Sequence, residues 1–115
     1  MAKSDSSNAV TTARAARLFR LVKALGVRPQ TREALLKRLR LNVRGFYRDL
    51  YLLRQYGLDL PMKGRRYTLE EDVETALARL PFPDPQLTLG EAMALAKGRS
   101  RAHQKLKAQI AKITR

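Results

Sequence analysis

Apolar side chains recur every three or four positions in the first quarter of the chain, the period of an α-helix with one buried face. The residues that share this face are Leu18, Leu21, Val22 and Leu25, with Phe19 beside them. Thr11 or Thr12 supplies a side-chain oxygen that suits the start of a helix. Gly26 and Pro29 are typical of its end. The pattern therefore predicts a first helix that ends at about Leu25.

Two further helices follow, separated by a link of two residues. A cap at Thr31 begins the second helix, which reaches about Leu39. A cap at Asn42 begins the third, which runs to about Tyr56 and is ended by Gly57. The predicted inward residues are Leu35, Leu36 and Leu39 in the second helix and Phe46, Leu50 and Leu53 in the third. The short link predicts that the two helices form a helix-turn-helix pair.

A β-hairpin is predicted after the third helix. Residues 58–69 contain two short extended runs around a basic Lys63-Gly64 turn. Three helices followed by a basic-tipped hairpin form the pattern of a winged helix-turn-helix. We therefore expect a mainly α fold with a small β-hairpin, in which residues 11–69 form the winged helix-turn-helix. The polar residues 1–10 are expected to be a flexible tail.

Residues 70–115 predict a C-terminal helical extension. The first part, residues 70–80, is predicted to be a short acidic helix with Val73, Leu77 and Leu80 inward. Prolines at positions 81, 83 and 85 then predict a stiff, extended connector over residues 81–85. This connector is expected to separate the last helices from the winged domain.

Two helices are predicted beyond the connector. Thr88 and Glu91 suit a capping box for a helix that reaches about Lys97, and Ser100 can cap the last helix. That helix carries an apolar stripe of Ala102, Leu106, Ile110 and Ile113. The stripe either packs back on the winged domain or pairs with the same helix of a second subunit, and the sequence leaves both open.

Charge is the strongest signal in the composition. The 115 residues include 24 Lys and Arg against 10 Asp and Glu, a formal net charge of +14. Residues 1–69 carry a net +12, residues 70–91 a net −5 and residues 92–115 a net +7. Such a field attracts a polyanion, and nucleic acid is the commonest one. A membrane surface is the weaker alternative, and no apolar run approaches the roughly 18–20 residues that cross a bilayer.

The third helix carries the strongest candidate residues. Those that project away from its apolar face are Arg44, Tyr47, Arg48 and Tyr51. A recognition helix places such residues in the major groove of DNA. Arg44 suits a two-bond contact with guanine, while Tyr47 and Arg48 suit phosphates or base edges. Asp49 is expected to orient a neighbouring arginine or to satisfy the fold. The alternative is an amphipathic helix with solvated arginines.

Residues outside the third helix complete the predicted contact surface. Lys63, Arg65 and Arg66 at the wing tip suit backbone phosphates or the minor groove, with a solubilising turn as the alternative. Thr31 and Arg32 open the second helix, whose N-terminal amides suit a phosphate, with an ordinary cap as the alternative. The full set of predicted DNA-contacting residues is Thr31, Arg32, Asn42, Arg44, Gly45, Tyr47, Arg48, Tyr51, Lys63, Arg65 and Arg66.

Other chemistry finds little support in the sequence. His103 has no second histidine and no cysteine with which to share a metal. The acidic residues between positions 70 and 74 are more typical of a first helical turn than of a metal site. There is no phosphate-binding glycine loop and no nucleophile–base pair. We therefore expect no enzyme activity, no metal, no cofactor and no small-molecule ligand. The absence of cysteine fits a cytoplasmic protein, with association to the nucleoid expected.

Several short motifs follow one another along the chain. They are the Leu35–Leu39 helix, the Asn42 cap, Tyr47-Arg48-Asp49-Leu50, Gly57 and Gly64-Arg65-Arg66-Tyr67. This set resembles the N-terminal winged helix-turn-helix of the DeoR-like and WYL-domain bacterial transcription regulators. Residues 87–95 are similar to the segment that follows the wing in WYL-type regulators. The resemblance implies a DNA-binding regulator that acts as a dimer.

The sequence departs from this family in three places. Gly45 stands where a hydroxyl residue is usual, so one expected phosphate contact is missing. Arg40 stands where the turn often has glycine. The family also continues into a ligand-sensing WYL domain, and none lies within these 115 residues. Effector sensing by that route is therefore not expected of them.

We expect a sequence-specific regulator that binds double-stranded DNA. Because one winged domain covers only a short half-site, a homodimer through Leu106, Ile110 and Ile113 is expected. Two alternatives remain at this point. One is a basic protein that binds DNA or RNA without sequence preference, and the other is a protein-interaction module whose charge serves solubility.

Overall fold

The computed structural model of the protein describes residues 10–83, 87–98 and 100–114. Within these residues, the fold consists of six helices and a three-stranded antiparallel sheet. In chain order the elements are α1 (Thr12–Val27), β1 (Gln30–Thr31), α2 (Arg32–Leu39), α3 (Val43–Gln55), β2 (Met62–Lys63), β3 (Arg66–Tyr67), α4 (Val73–Ala78), α5 (Leu89–Leu95) and α6 (Arg101–Thr114). The prediction of a mainly helical fold with a small β element is confirmed. No helix in these stretches is long and apolar enough to span a bilayer.

The first helix begins as predicted but ends later. Thr11 Oγ1 accepts a hydrogen bond from the backbone N–H of Arg14 at 3.0 Å and so caps α1. The helix continues through Gly26, two residues past its predicted end. A Cβ at position 26 would lie 2.6 Å from Cγ2 of Val73. This glycine therefore permits α4 to approach α1 closely and does not end the helix.

Both predicted caps of the α2–α3 pair are present. Thr31 Oγ1 accepts from the N–H of Ala34 at 3.1 Å, and Asn42 Oδ1 accepts from the N–H of Gly45 at 2.7 Å. Arg40, between the helices, adopts the left-handed conformation with φ 56°. Side chains with a Cβ rarely adopt it, which explains the preference for glycine implied by the family resemblance. The turn therefore keeps its geometry despite the arginine.

The predicted hairpin is present and belongs to a larger sheet than predicted. β2 and β3 pair antiparallel with Lys63 opposite Arg66. Gly64, with φ 65°, and Arg65 form the turn, one residue later than predicted. β1 pairs with the other edge of β3 and places Thr31 opposite Arg66. No sequence pattern predicts β1, because two residues are too few to show alternation.

The segment between α4 and α5 is packed into the fold. Pro81 and Phe82 are buried, and Pro81 forms an antiparallel bridge with Thr88. The predicted capping box of Thr88 and Glu91 is present at the start of α5. The prediction of an extended connector that separates the last helices from the rest of the chain is therefore wrong at residues 81–83, because Pro81 and Phe82 are themselves buried. Residues 84–86 of the predicted connector and 1–9 of the predicted tail lie outside the described residues.

The C-terminal helix α6 packs on its own chain. Ile113 is 1% exposed, and Leu106 and Ile110 are half-buried against the same core. Val10, predicted to lie in the flexible tail, is also buried in this core. Ala102, the first residue of the predicted stripe, is exposed. Of the two interpretations of the stripe, packing on its own chain is observed, and Ile113 is not accessible to a second subunit.

The central element is α1, which packs against α2, α4 and α6. Its buried residues are Ala15, Ala16, Leu18, Phe19, Leu21, Val22, Ala24 and Leu25. One continuous cluster joins all of these except Ala16 to Phe46 of α3, Leu80 after α4 and Ile113 of α6. Residues 11–69 and the helical extension therefore share a single hydrophobic core.

Replacing Ile113 by Ala tests the role of α6. Because the side chain is buried in its own core, we expect the free energy of unfolding to fall by about 2–5 kcal/mol. Urea denaturation measures it. Gln104→Ala, at an exposed site on the same helix, should change it by less than about 0.5 kcal/mol. Unchanged stability of Ile113→Ala, together with loss of a dimer in sedimentation, would contradict the intrachain packing.

Candidate nucleic-acid interface

The exposed face of α3 presents two arginines and two tyrosines. Tyr47 is 44% exposed and Tyr51 63%, and Arg44 and Arg48 are also exposed. They line an open groove of about 530 Å³ together with Arg14, Leu52 and Gln55. All four residues predicted for the outer face of this helix therefore meet on one surface. Leu50, predicted to be inward, is half-buried.

The opposite side of α3 is anchored to α1 by ion pairs. Asp49 is 1% exposed. Its Oδ1 accepts from Nε of Arg14 at 3.0 Å and from Nη2 of Arg17 at 3.1 Å, and its Oδ2 accepts from Nε of Arg17 at 2.7 Å. Nη2 of Arg14 also donates to the carbonyl oxygen of Arg48 at 3.3 Å. These bonds fix the rotation of α3 about its axis.

The sequence predicts that Asp49 orients one neighbouring arginine, and the structure shows that it orients two. The predicted contact set does not include either partner, Arg14 or Arg17. Their spacing of three residues places them on one side of α1, and Asp49 is the single acidic residue of α3. Those two facts are the only signal in the sequence for the pairing, which joins residues 32 and 35 positions apart.

An aromatic cluster connects α3 to the β2–β3 hairpin. The ring of Phe46 meets Tyr47 and Tyr67 edge to face, with centroids 5.5 and 5.3 Å apart. Arg32 Nη1 donates to the Tyr47 hydroxyl at 3.1 Å. The Tyr67 hydroxyl, and then Arg32, lower the pKa of Tyr47. Burial, and then the Tyr47 hydroxyl, raise the pKa of Tyr67 to about 12.

The β2–β3 hairpin extends the basic surface. Lys63, Arg65 and Arg66 are exposed, and Lys63 forms an ion pair with Glu70. Arg66 lines a second groove with Thr31 at the start of α2. The other residues that line this groove are Arg28, Pro29, Gln30 and Ala34.

Three residues of the predicted contact set have a structural role at the helix starts. The side-chain oxygens of Thr31 and Asn42 already accept from backbone N–H groups of α2 and α3. Gly45 is buried at the start of α3, where a Cβ would lie 3.2 Å from Asn42 Oδ1. The structure therefore does not present Gly45 as a contact residue, and explains the glycine by the tight cap.

The charge of this surface is largely unpaired. Among the described residues, Arg44, Arg48, Arg65 and Arg66 form no ion pair with an acidic side chain. In the same part of the chain, no group of three or more His, Asp or Glu side chains could hold a metal ion. The surface therefore offers donors and positive charge, which suits an anionic partner.

Comparison of the chain with models of protein families, with curated proteins and with solved structures finds no match. The resemblance to DeoR-like and WYL-domain regulators stays a prediction from short motifs. The surface around α3 is therefore interpreted from its own geometry and charge.

Replacing Asp49 by Asn tests the ion-pair anchor. The change removes the buried charge that both arginines face while it keeps the side-chain shape. We expect the free energy of unfolding to fall by about 3 kcal/mol, measured by urea denaturation. Asp59→Asn is the matched control, because Asp59 pairs with Arg54 on the surface at 3.8 Å and its loss should cost less than about 1 kcal/mol. Equal costs for the two variants would contradict the anchor.

Tyr47 and Tyr67 are expected to ionise at different pH values. Phenolate absorbance is followed against pH in the parent protein and in each variant. The difference between the parent and Tyr47→Phe should titrate below pH 10, and the difference between the parent and Tyr67→Phe near pH 12. Because the folded pKa of Tyr67 is raised, its contribution to stability is present below about pH 10 and is lost as the pH rises toward 12. The reverse order of titration would show that Tyr67, not Tyr47, faces the arginine.

Proposed function

We propose that the protein is a sequence-specific regulator of transcription that binds double-stranded DNA through a winged helix-turn-helix. In this proposal, α3 is the recognition helix and the β2–β3 hairpin is the wing. The observation that carries it is the exposed face of α3, where Arg44 and Arg48 form no ion pair with another described residue and are flanked by Tyr47 and Tyr51. Asp49 holds this face outward.

The dimensions of α3 support its assignment to the major groove. A helix with its side chains is about 10–12 Å wide, and the major groove of B-DNA is about 12 Å wide. Arg44 lies two residues after the Asn42 cap, in the first turn, which is the part of a recognition helix that meets the base edges. We assign Arg44 to a guanine, and Arg48 and Tyr47 to phosphates or base edges.

The wing supplies contacts that do not depend on base sequence. Arg65 and Arg66 are assigned to backbone phosphates or the minor groove, because they are exposed and unpaired within the described chain. Lys63 contributes less, since it shares its charge with Glu70. Pairing of β3 with β1 supports this role, because it holds the wing beside the first turn of α2.

Duplex DNA is a better partner for this surface than duplex RNA. The major groove of A-form RNA is deep and narrow, and a helix such as α3 does not enter it. A homodimer remains part of the proposal, because one winged domain covers a short half-site. Its interface would not include Ile113, which lies in the core.

The proposal is tested by selecting bound fragments from random duplexes and measuring their affinity by fluorescence anisotropy. Each neutralised phosphate contributes about 0.9 to the slope of log affinity against log salt, so 4–6 contacts give roughly −4 to −5. Duplex RNA and heparin serve as competitors. A flat salt response would contradict the electrostatic basis, and equal affinity for all duplexes would favour binding without sequence preference.

Variants assign the base-reading element within the same experiment. Arg44→Ala should weaken the selected site by about 1–3 kcal/mol and relax preference at one base pair. Arg66→Ala should weaken all duplexes by similar factors. Lys107→Ala, at an exposed position of α6, removes the same charge and should change little. Altered base preference in Arg66→Ala with unchanged preference in Arg44→Ala would overturn the assignment.

A further inference from the structure

The ion-pair cluster beneath α3 carries a surplus positive charge. Two guanidinium groups, those of Arg14 and Arg17, face the single carboxylate of Asp49. Their side chains are only 30% and 24% exposed, so water screens the remaining charge in part. A partly desolvated cation is stabilised by a second anion that can reach it.

The place of Arg14 in α1 adds to this surplus. Arg14 donates its backbone N–H to the Thr11 cap and so lies in the first turn of the helix. That turn contains no acidic residue. A helix N-terminus carries roughly half a positive charge, which favours anions and disfavours arginine. Asp49 offsets only part of the combined charge.

Arg14 and Arg17 differ in what they face. Arg14 uses Nε on Asp49 and Nη2 on the carbonyl of Arg48, while Nη1 has no hydrogen-bond partner among the described residues. Its side chain lines the groove formed by the outer face of α3. Arg17 donates hydrogen bonds to both carboxylate oxygens of Asp49 and does not line that groove. Only Arg14 is therefore placed to meet a ligand bound along α3.

We propose that Arg14 binds a phosphate of the DNA backbone from α1 while Asp49 holds its guanidinium in place. This inference rests on the proposed function and names a contact outside the recognition helix and the wing. The ion pair with Asp49 and the bond to the Arg48 carbonyl fix the side chain beforehand, so little rotamer entropy is lost on binding. The contact places the start of α1 on the DNA strand that borders the major groove entered by α3.

The test compares Arg14→Ala with Arg17→Ala, because each removes one guanidinium from Asp49. Anisotropy on the selected duplex and on random duplexes gives affinity at several salt concentrations, and thermal melts report folding. Arg14→Ala should weaken all duplexes by about 3- to 10-fold and reduce the magnitude of the salt slope by about 0.9. Arg17→Ala should lower the melting temperature and leave the slope unchanged.

A structural tether alone would not move the salt slope. An unchanged slope in Arg14→Ala, or an equal change in Arg17→Ala, would overturn the inference. Should Arg14→Ala fail to fold, Arg14→Gln keeps a donor for Asp49 without the charge and takes its place under the same criterion. If the parent protein bound no duplex, the proposed function would fall as well. If Arg44→Ala lost base preference while the Arg14 variants kept the slope, only the phosphate contact would fall.

Discussion

The carboxylate of Asp49, held between Arg14 and Arg17, determines how the rest of the surface is presented. A buried ion pair adds little to stability compared with an apolar contact of the same shape, but it has one geometry in which all partners are satisfied. Hydrophobic contacts at Phe46 and Leu53 would tolerate a small rotation of α3, whereas three hydrogen bonds to one carboxylate do not. The outward direction of Arg44 and Arg48 follows from this constraint.

A second set of contacts joins the β2–β3 hairpin to α2 and α3. Thr31 both pairs with Arg66 in the sheet and caps α2, so a displacement of β3 also disturbs the start of that helix. From the other side, Tyr67 of β3 packs on Phe46, and Arg32 reaches Tyr47. The β2–β3 hairpin, α2 and α3 are therefore positioned together. The surface that they form keeps a fixed shape although each element is short.

The features that the sequence predicts correctly are those that local interactions determine. The caps at Thr11, Thr31, Asn42 and Thr88 each depend on a residue three positions away. The outer face of α3 follows from its own periodicity. In contrast, β1, the pairing of Asp49 with two arginines and the return of α6 to α1 all join distant segments. The prolines near position 81 predict a spacer, because their stiffness is a local property while the burial of Phe82 is not.

The packing of α6 on α1 has a consequence for how the chain is made. α1 emerges first from the ribosome, but residues 101–114, which cover one of its sides, are synthesised only after about 75 further residues. Until then, the apolar side of α1 that meets Ile113 has no native cover. The nascent chain therefore exposes this apolar side of α1 until α6 has been synthesised, and exposed apolar surface of this kind promotes aggregation. The core around α1 is therefore completed only after residues 101–114 have been synthesised.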